Sequence, residues 1–323
     1  KMSEDTQAKD LSRHNFFYYE YVMEGFRGES KLLSIDFSGK TKFQNMEILE
    51  LESFGKCLVL DGEIQSAEKD EHIYHESLVQ PAMLSHPNPK RVFIAGGGEG
   101  ATAREVIKHP SVEECVMVDI DGDCVEYSKK LLKDHHKGAL EHEKVKVIID
   151  DAKHYLEDIA EDNSFDVMIL DLADPVKGGP CFQLYSDSWY ELCKRKLTKN
   201  GVLVTQSGCA GILTHDAILS PVHNTLKQVF SKVYPYSATI PSFCDDWGFN
   251  IAFQSEEDAK ALNDGQLDEK IEKRIEGGQT NMKFYDGISH TLLFALAKQI
   301  RQTIAKEERV ISKDNYVYVP CNQ

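Results

Sequence analysis

The sequence predicts an α/β protein: a mostly parallel sheet with helices on both faces, preceded by a small antiparallel β region. Three observations carry this. From residue 90 to about 252, short apolar runs alternate with amphipathic stretches, the pattern of strands joined by crossover helices. The first of these runs, 92–95, breaks at Gly96, Gly97, Gly98 and Gly100 before good helix formers begin at Ala101. Strand, glycine turn and helix form a unit in which a ligand can approach the backbone closely. Upstream, short runs with partial alternation are separated by Ser38-Gly39, Phe54-Gly55 and Asp61-Gly62, the punctuation of tight turns between antiparallel strands.

Taken in order, residues 1–14 are expected to be disordered and 15–66 to form the β-strand domain, with an aromatic-rich stretch at 16–21 and strands at 31–37, 43–51 and 56–60. Residues 66–85 read as a helix closed by His86-Pro-Asn-Pro89. A domain over 67–302 then carries strands at 91–95, 114–118, 144–149, 165–170, 201–205 and 248–253. Its helices lie near 101–108, 122–133, 152–160, 187–196 and 215–230. Residues 254–281 are charged and read as a surface insertion with at most a surface helix. An apolar helical pattern follows over 284–302, and in the tail, 303–323, residues 316–319 have the character of an edge strand.

Composition narrows the function. A hydrophobic content of 41% supports a substantial core. No run approaches the ~18 apolar residues of a membrane span, and the polar start carries no signal-peptide pattern, so a cytoplasmic protein with no membrane partner is expected. Eight cysteines without a C-x-x-C pair predict reduced thiols and neither metal site nor disulfide framework. With 53 acids against 37 bases the net charge is −16, which argues against nucleic acid and favours cationic ligands.

The acids are not scattered. Each of the first four strands of the main sheet is followed by carboxylate: Glu99; Asp119 and Asp121; Asp150 and Asp151; Asp171 and Asp174. Ligands of open α/β sheets bind beyond these strand ends. Asp119 sits about 20 residues past the glycine turn, where an acid meets ribose hydroxyls, and Asp151 is placed for a base amino group. Strand-end acids commonly cap helices, but four successive acidic ends raise one another's pKa unless positive charge fills the gap. No Lys or Arg stands beside them, so a cationic ligand resolves the repulsion. A positively charged nucleoside without phosphates suggests S-adenosylmethionine or a derivative, on a Rossmann-like, class I methyltransferase-like fold, together with a polycation. Glu99 in the turn disfavours a tail carboxylate and favours a tail amine.

Several stretches carry a resemblance. Leu58-Val-Leu-Asp-Gly-Glu-Ile-Gln-Ser66, Asp70-Glu-His-Ile-Tyr-His-Glu76, His86-Pro-Asn-Pro89, Gly96-Gly-Gly-Glu-Gly100, Val118-Asp-Ile-Asp121 and Asp171-Leu-Ala-Asp-Pro175 resemble the aminopropyltransferases, the spermidine and spermine synthase family. The resemblance runs through about 43–253, with an echo at Lys283-Phe-Tyr-Asp…His290. Residues 171–185 and 204–215 look most like the plant-type thermospermine synthases of that family.

The resemblance implies transfer of the aminopropyl group of decarboxylated S-adenosylmethionine, a co-substrate rather than a bound cofactor, to spermidine, giving thermospermine and 5′-methylthioadenosine. It implies no tightly bound cofactor, no metal, and a homo-oligomer, dimer or tetramer. By matching position, Asp171 is the catalytic acid–base residue, assisted by Tyr74. Gln44, His75, Gly96, Gly98, Glu99, Asp119, Ile120, Asp151 and Ala152 fall to the donor. Gln65, Tyr74, His75, Asp171, Asp174, Gln206, Phe243 and Trp247 fall to the amine. Three positions depart from many spermidine synthases: His75 replaces Gln, Glu99 replaces Asp, and Phe243 replaces a substrate-binding Tyr. With Gly178-Gly179-Pro180, the last favours a polyamine longer than putrescine. Spermine or spermidine synthesis, diamine N-methylation and non-catalytic polyamine binding remain as alternatives.

Overall fold

The computed structural model describes residues 9–179 and 181–319. Expectations for 1–8, Pro180 and 320–323 lie outside the described residues. The N-terminal sheet contains β1 (Lys9–Asp10), β2 (Phe17–Met23), β3 (Phe26–Lys40), β4 (Asn45–Leu51), β5 (Gly55–Leu60) and β6 (Glu63–Ala67). All pairings are antiparallel, in the order β1-β3-β4-β5-β6, with β2 on the first half of the long β3. Two expectations change here. Lys9–Asp10 pairs with Ile35 and Ser34 and Leu11 is buried, so disorder does not extend through 9–14. Residues 63–67 form a strand, and helix α1 runs over Glu71–Ser85 rather than from 66.

The second sheet holds β7 (Arg91–Gly96), β8 (Glu114–Asp119), β9 (Val145–Ile149), β10 (Phe165–Asp171), β11 (Leu197–Cys209), β12 (Lys232–Ile240) and β13 (Asp245–Phe253). Its order is β12-β13-β11-β10-β7-β8-β9. The pairs β11–β10, β10–β7, β7–β8 and β8–β9 are parallel, while β13 runs antiparallel to both β11 and β12. β12 was not expected. Pro235 interrupts its pattern, and it is tolerated because β12 is an edge strand, with no ladder partner beyond it among the described residues. One face of the sheet packs Ile94, Ile169, Val204 and Phe249 against α1 and Tyr236. The other packs Phe93, Met168 and Leu203 against Trp189, Tyr190 and Leu226.

Helix α1 joins the two sheets, and buried polar groups fix it. Glu76 accepts the backbone N–H groups of Lys283, Phe284 and Tyr285 at 2.8–2.9 Å, which explains the motif echo at 283–290. Arg274 donates to the carbonyls of Met83, Leu84 and His86, which the helix end leaves without partners. The segment 254–281 is therefore not only a surface insertion. Its short helices bury Leu262, Ile271 and Ile275 in the core and supply this cap. The 284–302 pattern divides into helices Gly287–Leu293 and Lys298–Lys306. Residues 316–319 form no strand: Val319 N–H donates to the Pro175 carbonyl and Tyr316 packs edge-on to Phe182. No helix among the described residues is long and apolar enough to cross a membrane.

Candidate active site

A cavity of about 450 Å³ opens where the carboxyl ends of β7, β8, β9 and β10 face β5, β6 and α1. Parallel strands joined by crossover helices bring their carboxyl ends to one edge, so the acids following them converge. All sixteen residues assigned from the sequence line it: Gln44, Gln65, Tyr74, His75, Gly96, Gly98, Glu99, Asp119, Ile120, Asp151, Ala152, Asp171, Asp174, Gln206, Phe243 and Trp247.

The glycine turn is shaped by the acids it faces. Gly96 has φ of +81°, and a Cβ there would meet the Asp171 carbonyl at 2.1 Å. A Cβ on Gly98 would stand 2.8 Å from Asp119 Oδ2. Backbone in this turn thus fills space that any side chain would close.

Asp171 is gripped on both oxygens. Tyr74 Oη donates to Oδ1 at 2.6 Å and Thr102 Oγ1 donates to Oδ2 at 2.6 Å. Burial, then the negative charge of Glu99, raises its pKa; the charge of His75 and the two hydroxyls pull the other way. Burial next to the carboxylate raises the Tyr74 phenol far above its ordinary value, so it remains a donor. Asp174 is pushed up to about 7 by burial, although Gln206 Nε2 donates to it at 3.0 Å. Burial also carries Asp119 to about 7, with Asp121, Glu99 and Asp171 adding repulsion and its bond from the Asp121 N–H opposing it.

Glu99 differs. Burial alone would raise it, but the hydrogen bond and charge of His75 outweigh burial and hold it below the ordinary value. His75 Nε2 lies 2.8 Å from Glu99 Oε1, and Nδ1 lies 2.8 Å from Glu71 Oε2. This corrects two readings. A cation does stand among the acids, the His75 imidazolium, and Lys177 also lines the cavity. Both His75 nitrogens are engaged within the protein, so in this arrangement His75 orients Glu99 and does not itself offer a hydrogen bond to a ligand. Gln206 is similarly occupied: Nε2 reaches Leu172 O, Asp174 and Tyr185 Oη, and Oε1 accepts from Gly208 N–H and Trp247 Nε1. It orients Asp174 and the indole. Among the described residues, none of Asp119, Asp121, Asp151, Asp171 and Asp174 forms an ion pair with Lys or Arg.

Asp121 and Asp151 serve two purposes. Each caps a helix, accepting from Cys124 N–H and Lys153 N–H respectively. Asp121 Oδ2 also takes hydrogen bonds from Thr41 Oγ1 at 2.7 Å and Gln44 Nε2 at 2.9 Å, tying the N-terminal sheet to β8. Asp150 pairs with the exposed His154. At the opposite wall, Phe243 packs edge-on to Tyr74 and Trp247, with ring centroids at 5.8 and 4.8 Å. Its 3₁₀ turn is held by Asp70, which accepts from Ser242 N–H at 2.7 Å and Ser242 Oγ at 2.9 Å.

The donor atoms of His75, Glu99 and Asp171 fall within 4.8 Å of one another, a separation a metal ion could use. His75 Nε2 is committed to Glu99, however, and both Asp171 oxygens accept hydroxyls, so the observed bonding is that of a hydrogen-bonded group. Sequence reasoning missed Thr102, whose role depends on the turn of α2 (Ala101–Ile107), and Glu20 and Glu63, which bring further carboxylates from the N-terminal sheet. Glu20, an acid within alternating aromatics, was the available signal; burial pushes it up to about 7.

Comparison with known proteins agrees with this geometry. Residues 71–263 match the spermine/spermidine synthase domain, and 16–68 match the spermidine synthase tetramerisation domain. The chain is 40% identical over 321 residues to a thermospermine synthase of Arabidopsis thaliana, covering 99% of this chain and 92% of that one. It is also 40% identical over 286 residues to a polyamine aminopropyltransferase of Aeropyrum pernix, covering 88% and 89%. A crystal structure of spermidine synthase with the transition state analogue AdoDATO superposes with a TM-score of 0.81 at 27% identity, covering 94% of this chain and 98% of that one. With a converging acidic pocket, the sheet order that builds it and both domain matches in sequence, the chain belongs to the spermine/spermidine synthase family of aminopropyltransferases.

Proposed function

We propose that this aminopropyltransferase uses decarboxylated S-adenosylmethionine as donor and spermidine as acceptor, giving thermospermine and 5′-methylthioadenosine. The observation that carries the reading is Asp171 held between Tyr74 and Thr102 at the meeting point of the donor turn and the Asp174–Phe243 wall. Asp119 takes the ribose, Asp151 and Ala152 the base, and Glu99 the donor's amine.

An amine of pKa near 10 costs roughly 4 kcal/mol to deprotonate at pH 7. An acidic pocket stabilises ammonium, so the roles divide. Asp174 holds a nitrogen that stays protonated. Asp171, ionised, takes one proton from the attacking nitrogen, whose lone pair forms a bond to the methylene beside the sulfonium. The carbon–sulfur bond breaks with its electron pair left on sulfur, and the product nitrogen remains a protonated secondary amine. The sulfonium is an activated leaving group, so the protein's main contribution is in-line positioning.

Phe243 supports the longer acceptor. It presents an apolar edge, which accommodates methylenes, where a hydroxyl would meet the second ammonium of a short diamine. The similar identity to an archaeal polyamine aminopropyltransferase supports the wider alternative of spermine or spermidine formation. Phe17, Tyr19 and Tyr21 alternate along β2 and are about half exposed, which supports a homo-oligomer built on the N-terminal sheet. Cysteines without disulfides among the described residues support a reducing, cytoplasmic setting. The deciding experiment supplies putrescine and spermidine separately with the decarboxylated donor and resolves thermospermine from spermine by chromatography. Thermospermine from spermidine, with little product from putrescine, is expected. Turnover of putrescine alone would overturn the acceptor, and consumption of S-adenosylmethionine itself would overturn the donor.

A further inference from the structure

Behind the glycine turn lies a buried chain of charges. The Arg104 guanidinium grips Glu71 as a fork, with Nη1 to Oε1 at 3.0 Å and Nη2 to Oε2 at 2.8 Å. Glu71 Oε2 is 2.8 Å from His75 Nδ1, and His75 Nε2 is 2.8 Å from Glu99 Oε1. Glu71, His75, Glu99 and Arg104 are all buried, His75 at 1% exposure. An ionised carboxylate only accepts hydrogen bonds, so a ring with an ionised carboxylate on each nitrogen donates from both and carries positive charge. The Arg104 fork favours the ionised form of Glu71, and with a carboxylate on each nitrogen the His75 pKa is raised to about 10, which makes the ring an imidazolium.

The other groups around it do not take over this part. Glu105, on α2, accepts from Arg104 Nε. Burial lowers the pKa of His135, on the short helix Lys133–His136, and neither of its ring nitrogens has a partner among the described residues. Tyr74, beside it on α1, and Asp171, at the end of β10, are bonded to each other. Glu99 Oε2 has no side-chain partner among the described residues.

We propose that Glu71 and Arg104 are positioning residues for the donor: through His75 they hold Glu99 as an oriented carboxylate with one oxygen left for the donor's amine. The donor part rests on the function proposed above. The hydrogen bonds from Arg104 to Glu99 are present whichever donor the enzyme uses. Fixing one Glu99 oxygen on the imidazolium restrains a side chain one methylene longer than Asp. It also keeps Glu99 ionised although Asp171 and Asp119 lie nearby. Without the Glu71 charge, His75 would lose its proton at lower pH. Nδ1–H would stay on the Glu71 carbonyl, 2.7 Å away, and the Nε2 lone pair would face Glu99 and displace it.

The test is Glu71→Gln in the full-length enzyme, with Arg104→Lys as a second variant that keeps the charge and loses the fork. Nitrogen shifts of His75 in protein labelled at histidine, assigned through His75→Gln, report its protonation. In the wild type His75 should stay doubly protonated to about pH 9, and the donor KM should be flat between about pH 8 and 9, above the titration of Asp119. In Glu71→Gln the midpoint should fall by about one pH unit or more, and above it the donor KM should rise about tenfold per pH unit while kcat at saturation changes less than about twofold. Arg104→Lys should follow the same trend with smaller amplitude. A wild-type His75 that titrates near 6.5, or variants whose donor KM tracks the wild type at every pH, would overturn the proposal. Lack of turnover with every amine would sink the functional reading instead, and the His75 titration would still judge the relay.

Discussion

Thr102 offers a sharp test of how Asp171 is tuned. Its hydroxyl is buried and donates to Asp171 Oδ2 at 2.6 Å, opposite the Tyr74 bond at 2.6 Å. Thr102→Val removes that donor and keeps the shape. A hydrogen bond to a charged acceptor contributes about 1.5–3 kcal/mol, and one pH unit corresponds to about 1.4 kcal/mol. Allowing for relaxation at the vacated position, losing it should move the acid limb of kcat/KM for the amine upward by about one pH unit. The sign follows from the role: Asp171 works as a base, burial and Glu99 already raise its pKa, and removing a donor that favours the ionised form raises it further. The alkaline plateau should be retained, because once ionised Asp171 still carries the Tyr74 bond. The assay is kcat/KM for the acceptor between pH 5.5 and 9 at saturating donor, with thermal unfolding as the check on the fold. A limb that stays within about 0.3 pH unit of the wild type, in a folded variant, would refute the argument that these hydroxyls set the base.

Asp171→Asn should lower kcat at pH 7 by about 10² or more, the residual rate rising about tenfold per pH unit towards the pKa of the amine; near-normal turnover would remove Asp171 from the role. Phe243→Tyr restores a hydroxyl to the amine wall and should raise kcat/KM for putrescine relative to spermidine by about tenfold, measured by direct competition; an unchanged ratio would free Phe243 from acceptor choice. Phe17→Glu with Tyr19→Glu puts charge on the exposed face of β2 and should dissociate the oligomer, read by sedimentation; an assembly of unchanged mass would place the interface elsewhere. Asp174 stands at about 7, so near neutral pH it is partly protonated when the pocket is empty, and a bound ammonium should expel about half a proton. Calorimetry of spermidine binding in buffers of different ionisation enthalpy measures this, and Asp174→Asn should abolish it.

The central strands of the main sheet were legible because they are buried on both faces and read as apolar runs, as at 92–95, 115–118 and 167–170. The acids at its strand ends were legible for the same reason: once the strands are placed, topology brings their carboxyl ends together. β12 was not legible, because Pro235 is allowed only by its edge position, which is a property of the finished sheet. The strand over Glu63–Ala67 was hidden by its continuity with the α1 pattern. The burial of Leu262 and Ile271 was obscured by the charges around them, since a helix shows its buried face only once a neighbour is known. In the site, residue positions were legible and bonding was not. His75 and Gln206 stand on the cavity wall as expected, but their nitrogens and oxygens are spent on protein partners. Thr102 gave no signal, because a Thr in the first turn of a helix looks the same whether it faces a carboxylate or a methyl group.

These bonds bear on how an acidic pocket selects for charge. Two unit charges 4 Å apart interact by about 1 kcal/mol in water and about 4 kcal/mol at an effective dielectric of 20. Carboxylates at the open end of a sheet would therefore discriminate weakly between amines carrying one ammonium and several. Covering that end with the N-terminal sheet and α1 raises the worth of each charge, and it also raises the repulsion among the acids. The structure answers the repulsion separately at each carboxylate. Asp171 takes two hydroxyls, Glu99 an imidazolium, and Asp119 a backbone N–H. Asp174 takes an amide that donates without charge and is left near 7. Only the Glu99 solution brings formal charge into the cluster, and it does so on the donor side, where a single tail amine is to be read. On the amine side the partners are neutral, so the attraction of Asp174 for ammonium is not spent on the protein. The covering sheet, with Gln44 tied to Asp121 across the seam, is thus as much a part of the selectivity as the acids it encloses.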